Sequence, residues 1–476
     1  MYSPRTLYEG GTEIPEITAM NLFRLFGAAD RELYIVGGYV RDKLLGEVSN
    51  DVDFATNALP EETSRILEEN GLKVIPIGLE FGTIATLVEH MGKMIQVEIT
   101  TYRCSESYPL DSRHPDVVFG ESLEEDLLRR DFTFNAMALD EEGELIDPFG
   151  GQKDLSAKLV RTPRESGITF REDPLRMLRA VRFKCRLGFE LDPPVREALV
   201  ANRKLILSIS RERWKQEFDA MLTESDGVRA VHALQLLKDT GLLVEMIPEF
   251  ERMFLLDDAP HGIAHAKDIW NHTMDVVEVL PPRLCLRWAA LLHDIGKADA
   301  RSVDENGLPH YYGHENIGAE LSGEIVENFR FSRRDRRAVL FLVRNHMRPV
   351  LYDSEWSDAA VRRIVRDSGR NLDDLLLLAE ADIRAHTGEY SEKGLRNIAE
   401  LRSRIDSQKF PAGQRLLPRK LGGILARRLD AESEGGERVG LLLARLEDLV
   451  HEGKLPAMAA PSVYLQFLQD NRLIQE

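Results

Sequence analysis

The sequence predicts an α+β chain, with a mixed sheet-and-helix head followed by a helical remainder. Two observations carry that prediction. Short β-branched or aromatic runs (LYIV, DVDFAT, LKVIPI, TIATLV and MIQVEIT) crowd the first third, separated by Gly, Asn and charged turns. After Val160 such runs nearly vanish, and segments such as DPLRMLRAVRFKCRLGF and VRAVHALQLLKDTGLLVEMI repeat apolar residues at helical spacing. At 476 residues the chain exceeds what one core can hold, and three or four domains are expected.

The elements follow in order. LYIV reads as a buried strand, a Gly-Gly turn follows it, and YVRDKLLG reads as a helix. EETSRILEENG is a helix closed by a glycine stop. The polar, Pro-containing middle of TTYRCSESYPLDSRHPDVVFGESLEED reads as a mobile loop. DPFGGQKDL is a turn-rich boundary, which sets a head at 1–155 and a helical neck at 156–252. A break at MFLLDDAPHGIAHAKD opens a third domain at 253–405. QKFPAGQRLLPRK, with two prolines and a glycine, leads into a helical tail at 406–476.

Composition excludes several function classes. The chain is 43% hydrophobic and 30% charged and has no run of 18 apolar residues, so no transmembrane helix is expected. MYSPRTLYEGGTEIPE lacks the apolar core of a signal peptide. Cys104, Cys185 and Cys285 are widely spaced and odd in number, which points to a reducing cytoplasm rather than a disulfide framework. The net charge of −18 argues against a general polyanion binder. Any nucleic-acid role must rest on local basic surface, such as 171–186, with six basic and two acidic residues, or 396–428. The ordinary alternative for both is a solvated helix face.

Asp51 and Asp53 are the chemical signal of the head. Two apart on a predicted strand, their carboxylates project from one face. Carboxylates so close repel unless a cation lies between them, and a hard dication such as Mg²⁺ fits. D-x-D alone is equally the pattern of an exposed edge strand. Gly37 and Gly38 add that backbone N–H groups can approach a phosphate at a helix N-terminus, and Arg41 lies within reach of triphosphate oxygens.

The combination GGYVRD…NDVDFAT resembles the signature of the class II tRNA nucleotidyltransferase and bacterial poly(A) polymerase family, with its polymerase-β-like head. LEEDLLRRDFTFNAMALDEEGELIDPFGG, REDPLRMLRAVRF and ISRERWKQEF resemble the further blocks of that family, in family order, across roughly the first 220 residues. The resemblance implies two-metal nucleotidyl transfer in which Mg²⁺ held by Asp51 and Asp53 activates an RNA 3′-hydroxyl and stabilises departing pyrophosphate. Glu98, on the strand MIQVEIT, is the candidate third carboxylate, although an exposed strand residue would look the same.

Asp173 and Arg176 are i, i+3 on a predicted helix, a spacing that by itself describes a local ion pair. The resemblance implies that they act as a protein template for the incoming base. A carboxylate accepts from the exocyclic amine of cytosine or adenine, whereas uracil and guanine would bring a carbonyl to it. Arg179 and Arg182 continue along the helix toward triphosphate or base. Arg130 matches another nucleotide-contacting position, and Asp131 is expected to orient it. The expected partners are tRNA, CTP and ATP. The rivals are CC-only or A-only addition and poly(A) synthesis.

A second constellation follows. LRWAALLHDIGKA places His293 and Asp294 at the end of an apolar helix, with His272 upstream and Asp382 downstream; His314 and His346 lie between. H…HD…D on helices resembles the HD phosphohydrolase superfamily. Imidazole and carboxylate ligands suit Mn, Ni, Fe or Mg, and a metal-bound water would attack a phosphoester, with 2′,3′-cyclic phosphate ends of RNA as the implied target. The alternative is a helical scaffold without turnover. Two readings of other classes remain: an HD hydrolase whose head only binds RNA, and a non-catalytic RNA-binding protein.

Overall fold

The computed structural model describes residues 14–49, 52–78, 81–90, 93–107, 116–257, 269–407, 416–429, 435–451, 454–471 and 473–474. Asp51, the centre of the polar loop (108–115) and most of the break before 269 lie outside them. The described chain divides into two compact units, Met1–Leu340 and Phe341–Glu476, so the division falls inside the segment expected to be the third domain.

The first unit opens with a helix (Ile14–Ala28) and a mixed sheet. Its strands are β1 (Leu33–Val36), β2 (Asp53–Thr56), β3 (Val74–Gly78), β4 (Thr83–His90), β5 (Lys93–Thr101), β8 (Ala138–Leu139) and β9 (Leu145–Ile146). A separate ribbon pairs β6 (Arg103–Ser107) with β7 (Asp116–Phe119) at the ends of the polar loop. The main sheet runs β3-β4-β5-β2-β1-β8-β9. The central pair β2 and β5 is parallel; its neighbours on both sides are antiparallel. β1 is almost wholly buried, as LYIV demands, and β2 carries Phe54, Ala55 and Thr56 into the core. Helix Pro60–Glu69 starts with Pro at its first position, and the Leu59 N–H donates to Glu62 Oε2 at 3.0 Å.

The rest of the unit is helical apart from short two-residue strands. Helices Ser166–Glu172 and Leu175–Leu187 follow the head, and Arg211–Leu222 and Gly227–Asp239 pack against the second of these. Its Gly188 stop is left-handed (φ 67°), the usual way such helices end. Trp214, Phe218, Trp288 and Phe329 form a buried aromatic cluster joining helices Arg211–Leu222, Leu284–Leu292 and His314–Asn328.

The second unit is helical throughout its described residues. Tyr352, Val361, Leu376 and Leu401 centre one core. Leu421, Leu425, Leu446, Tyr464 and Leu468 centre another in the tail. There the buried Tyr464 hydroxyl donates to Pro456 O at 2.6 Å and accepts from Ala459 N at 3.0 Å. No helix among the described residues is long and apolar enough to cross a membrane.

Candidate active site

Gly37 leaves β1 with φ 76° and ψ −134°, a backbone region open essentially only to glycine. A Cβ there would lie 3.2 Å from Arg130 Nη1 and 3.8 Å from Asp53 Oδ2. Conformation therefore requires glycine at the point where the chain passes the site, and the space beside it is tight. Helix Gly38–Leu45 begins next, and Arg41 folds back beneath the turn. Its Nε donates to Asp42 Oδ1 at 2.8 Å and its Nη1 to Asn135 Oδ1 at 2.8 Å, which fixes a guanidinium that is only 6% exposed.

Asp53 is the first residue of β2. It pairs in parallel register with Glu98 on β5, so the two carboxylates stand side by side on one face of the sheet. Two acids on adjacent strands fit a divalent cation, which would offset their mutual repulsion.

The RRD block is organised by a residue that the motif reading passed over. Asp126, wholly buried, accepts from Arg129 Nη2 (2.7 Å) on one oxygen and from Arg130 Nη2 (2.9 Å) on the other. Burial alone would raise its pKa, but the two guanidiniums outweigh it and hold the carboxyl at about 2. Arg130 is thus oriented by Asp126, one helical turn back, and not by Asp131, which corrects the sequence expectation. Asp131 faces the other way, because adjacent side chains on a turn diverge. Its Oδ1 accepts from Phe132 N and Asn135 Nδ2, and its Oδ2 from Arg179 Nε at 2.7 Å. Burial opposes the charge on Asp131, but Arg179 and the Asn135 hydrogen bond keep its pKa below the usual carboxylate value.

Asp173 also departs from expectation. It is not on the helix with Arg176 but stands before it, with φ −138° and ψ 97°. Pro174 disfavours helical geometry at the preceding residue, and the helix starts at Leu175. Asp173 Oδ1 caps that start by accepting from Leu175 N at 3.1 Å, and Oδ2 accepts from Arg213 Nη2 at 2.9 Å. Arg176 sits in the first turn, with Nη1 3.4 Å from Thr169 O. Arg182 donates through Nε to Glu217 Oε2 at 2.6 Å and is not among the cavity-lining residues. The rings and charges meet at Phe183, whose face has Arg41, Arg179 and Arg182 at 5.1, 5.4 and 4.5 Å.

One cavity of about 320 Å³ gathers these groups. Gly37, Gly38, Arg41, Asp53, Arg130, Asp131, Asp173, Arg176 and Arg179 line it, all of them singled out in the sequence. Arg129, Asn135 and Arg213 join them without having been foreseen. Arg213 lay in the block ISRERWKQEF, but only the fold shows that it reaches Asp173. Glu98 is not part of the lining.

The first unit also brings His272, His293 and Asp294 together. His293 and Asp294 lie just past helix Leu284–Leu292 rather than within it. Asp294 Oδ2 is 3.2 Å from His293 Nε2, 3.7 Å from His272 Nε2 and 2.6 Å from Lys297 Nζ. Its Oδ1 is 3.4 Å from His314 Nε2. The Nδ1 atoms of His293 and His314 lie 2.7 and 2.8 Å from the carbonyls of Ala290 and Tyr311. A carbonyl only accepts, so each Nδ1 carries a proton and each Nε2 is the atom turned to the Asp294 carboxylate. Imidazole nitrogens beside a carboxylate, with the far nitrogen anchored, are residue types that suit a transition metal. Gly296 is required here, since a Cβ would meet His314 O at 2.3 Å. Asp382 belongs to the second unit. There it is buried on helix Leu372–Ala385, its Oδ1 3.7 Å from His386 Nε2.

Comparisons with known proteins agree with this architecture. Residues 33–161 match the family model described as the poly A polymerase head domain. Residues 188–254 match the probable RNA and SrmB-binding site of polymerase A, and 262–407 the HD domain. A CCA-adding enzyme from Geobacillus thermodenitrificans is 46% identical over 224 residues, 47% of this chain and 53% of that protein. One from Bacillus licheniformis is 38% identical over 269 residues, 56% of this chain and 65% of that protein. The chain thus spans about half to two thirds of the length of the curated relatives it matches. The crystal structure of the Bacillus stearothermophilus CCA-adding enzyme in complex with CTP superposes with a TM-score of 0.63 at 27% identity, covering 96% of this chain and 98% of that one. A tRNA nucleotidyltransferase complexed with a primer tRNA and an incoming ATP analog gives 0.51 at 25% identity, covering 80% and 98%. By its ordered motifs, its sheet and these likenesses, the chain is similar to CCA-adding enzymes, with a poly A polymerase head domain match at 33–161 and an HD domain match at 262–407.

Proposed function

We propose that this protein is a tRNA nucleotidyltransferase that adds C and A to the tRNA 3′ end from CTP and ATP. The observation that carries the reading is the single cavity in which a glycine turn, an acidic strand end and the Asp173–Arg176 pair meet. Gly37 and Gly38 let the backbone approach the triphosphate, and Arg41 and Arg130 meet its negative charge from fixed positions. Asp173 is held by Leu175 N and Arg213, one bond to each oxygen. Each carboxylate oxygen retains acceptor capacity, so Asp173 takes the exocyclic amine of C or A. Arg176 offers donors to the ring acceptors beside that amine. U or G would set a carbonyl against Asp173, an unmatched buried pair costing about 1–3 kcal/mol.

Asp51 and Asp53 would hold Mg²⁺, with Glu98 alongside. Bound there, the metal would supply charge neutralisation for the attacking and leaving oxygens. The residues' own part is positional: Arg179, fixed by Asp131, and Arg130, fixed by Asp126, keep the phosphates from shifting. On this reading 1–155 performs transfer, 156–252 reads the base and 406–476 contacts tRNA by shape. The family resemblance implies that members adding only C shorten the loop after Glu98 and that the tRNA-repair branch carries a block like FTFNAMALDEEGELIDPFGG; this chain has that block and a loop without obvious truncation, which supports addition of both C and A over CC-only addition or poly(A) synthesis. The widely spaced, odd-numbered cysteines support a cytoplasmic setting for this reading.

A second reading applies to 253–405. The anchored imidazoles around Asp294 favour a metal-dependent phosphohydrolase, with His272, His293 and Asp294 as ligands of Mn, Ni, Fe or Mg.

The test is incubation of tRNA lacking its 3′ end with labelled CTP and ATP in Mg²⁺. C followed by A is expected at the 3′ end. No incorporation overturns the transferase reading, and C without A overturns full CCA addition.

A further inference from the structure

Between Lys297 and His314 the first unit carries a small hairpin, Ser302–Val303 paired with Pro309–His310. It is tightly built for its size. Asp304 Oδ1 accepts from Asn306 N at 2.9 Å and Leu308 N at 2.8 Å, and Asp304 N donates to Leu308 O at 2.9 Å. Asp304 Oδ2 lies 3.3 Å from His310 Nε2, which fixes the plane of that imidazole. On this fixed ring Tyr312 stacks, with centroids 5.2 Å apart and planes only 9° from parallel. Tyr312 is nonetheless 80% exposed, the most exposed of the large apolar side chains among the described residues. One face of its ring is backed by His310 and the other meets solvent.

The chain ties this ring to the Asp294 cluster. Tyr311 accepts from His314 Nδ1 through its carbonyl, and its ring lies 5.8 Å from Lys297 Nζ. Lys297 is itself bonded to Asp294. Two peptide steps separate Tyr312 from His314, so their Cα atoms are at most about 7.6 Å apart. An exposed aromatic side chain stacked on His310 thus lies two residues from His314, in the segment whose Tyr311 contacts the buried Lys297.

We propose that this hairpin is a base-stacking flap of the HD centre, in which Tyr312 takes the nucleobase of a nucleotide phosphoester whose phosphate faces Lys297 and His314. The inference rests on the HD reading above and sharpens it. The centre is matched to phosphoesters that carry a base, not to phosphoesters in general. Stacking on an aromatic face is tolerant of base identity, so the flap selects for a base without selecting among bases. The phosphate supplies the anchor, and the ring supplies the preference for nucleotides over simple phosphomonoesters.

The test uses the full chain loaded with Mn²⁺, with excess CTP to fill the head. The probe is 2-aminopurine riboside 2′,3′-cyclic phosphate, whose fluorescence falls on stacking; glycerol 2-phosphate serves as the competitor without a base. Wild type and Tyr312→Phe are expected to quench the probe and bind it in preference to glycerol 2-phosphate. Tyr312→Ala is expected to lose the quenching and to lower the preference roughly tenfold or more. Equal preference in wild type and Tyr312→Ala overturns the flap. Metal-dependent hydrolysis is followed in the same samples. Tyr312-dependent quenching without hydrolysis removes the hydrolytic reading and keeps the flap; hydrolysis with Tyr312-independent binding does the reverse.

Discussion

Arg213 shows how a single side chain reaches the chemistry through another. It touches Asp173 Oδ2, and the other oxygen of that carboxylate accepts from Leu175 N at the start of helix Leu175–Leu187. Replacing it with Met keeps much of its length and removes the bond. Arg213→Met is expected to lower discrimination of CTP over UTP, read as the ratio of kcat/KM values, by roughly tenfold. An unchanged ratio would show that Asp173 needs no brace. Asp126 braces Arg129 and Arg130 in the same way. Its folded pKa of about 2 lies below the ordinary aspartate value of 3.8, so it stabilises the fold above about pH 4 and that contribution is lost as pH falls toward 2. The shift corresponds to about 2 kcal/mol. Asp126→Asn should destabilise the first unit by about 3–5 kcal/mol at pH 7, because two guanidiniums lose their buried partner. In urea melts the gap between wild type and variant should narrow between pH 4 and pH 2.5; a gap independent of pH would count against the ion-pair account.

At the scale of the element, two glycines fix how strands and helices enter their sites. Gly37→Ala places a side chain at φ 76° and presses a methyl toward Arg130 Nη1. Strain of about 1–3 kcal/mol is expected, together with a higher KM for CTP and a smaller change in kcat. A lowered kcat with KM intact would mean that the turn serves the chemical step and not triphosphate binding. Gly296→Ala drives a Cβ into the backbone of helix His314–Asn328. The helix must move, carrying His314 away from Asp294. The stabilisation that Mn²⁺ gives to wild-type thermal unfolding is therefore expected to shrink in this variant, and an equal metal-induced rise in Tm would refute the assignment of this turn to the metal cluster.

At the scale of the molecule, the net charge of −18 sets the problem of binding a polyanion. The head and neck concentrate guanidiniums around one cavity, so attraction there is local within a chain of negative net charge. The affinity for tRNA lacking its 3′ end should fall steeply between 50 and 200 mM salt, with a slope of roughly −0.7 to −0.9 per phosphate contacted. The KM for CTP, met by fewer charges, should change less. A flat salt response of the RNA would argue against a phosphate-reading surface.

The order of motifs alone determined the mixed head and helical remainder, and it marked nine of the residues that line the cavity. Those features are local: strand composition, a glycine pair, acids two apart and apolar residues at helical spacing each depend on near neighbours in the chain. Asp53 was legible, but its register with Glu98 depends on β2 meeting β5 from 45 positions away in the chain. The partners of the arginines were not legible at all. Arg130 is adjacent to Asp131 yet binds Asp126, Arg179 crosses 48 residues to Asp131, and Arg213 crosses 40 to Asp173. A guanidinium takes whichever buried carboxylate the packing brings within 3 Å, and packing is a property of the whole fold. Sequence spacing therefore showed which charges the site would contain, and only the tertiary structure decided which of them hold one another in place.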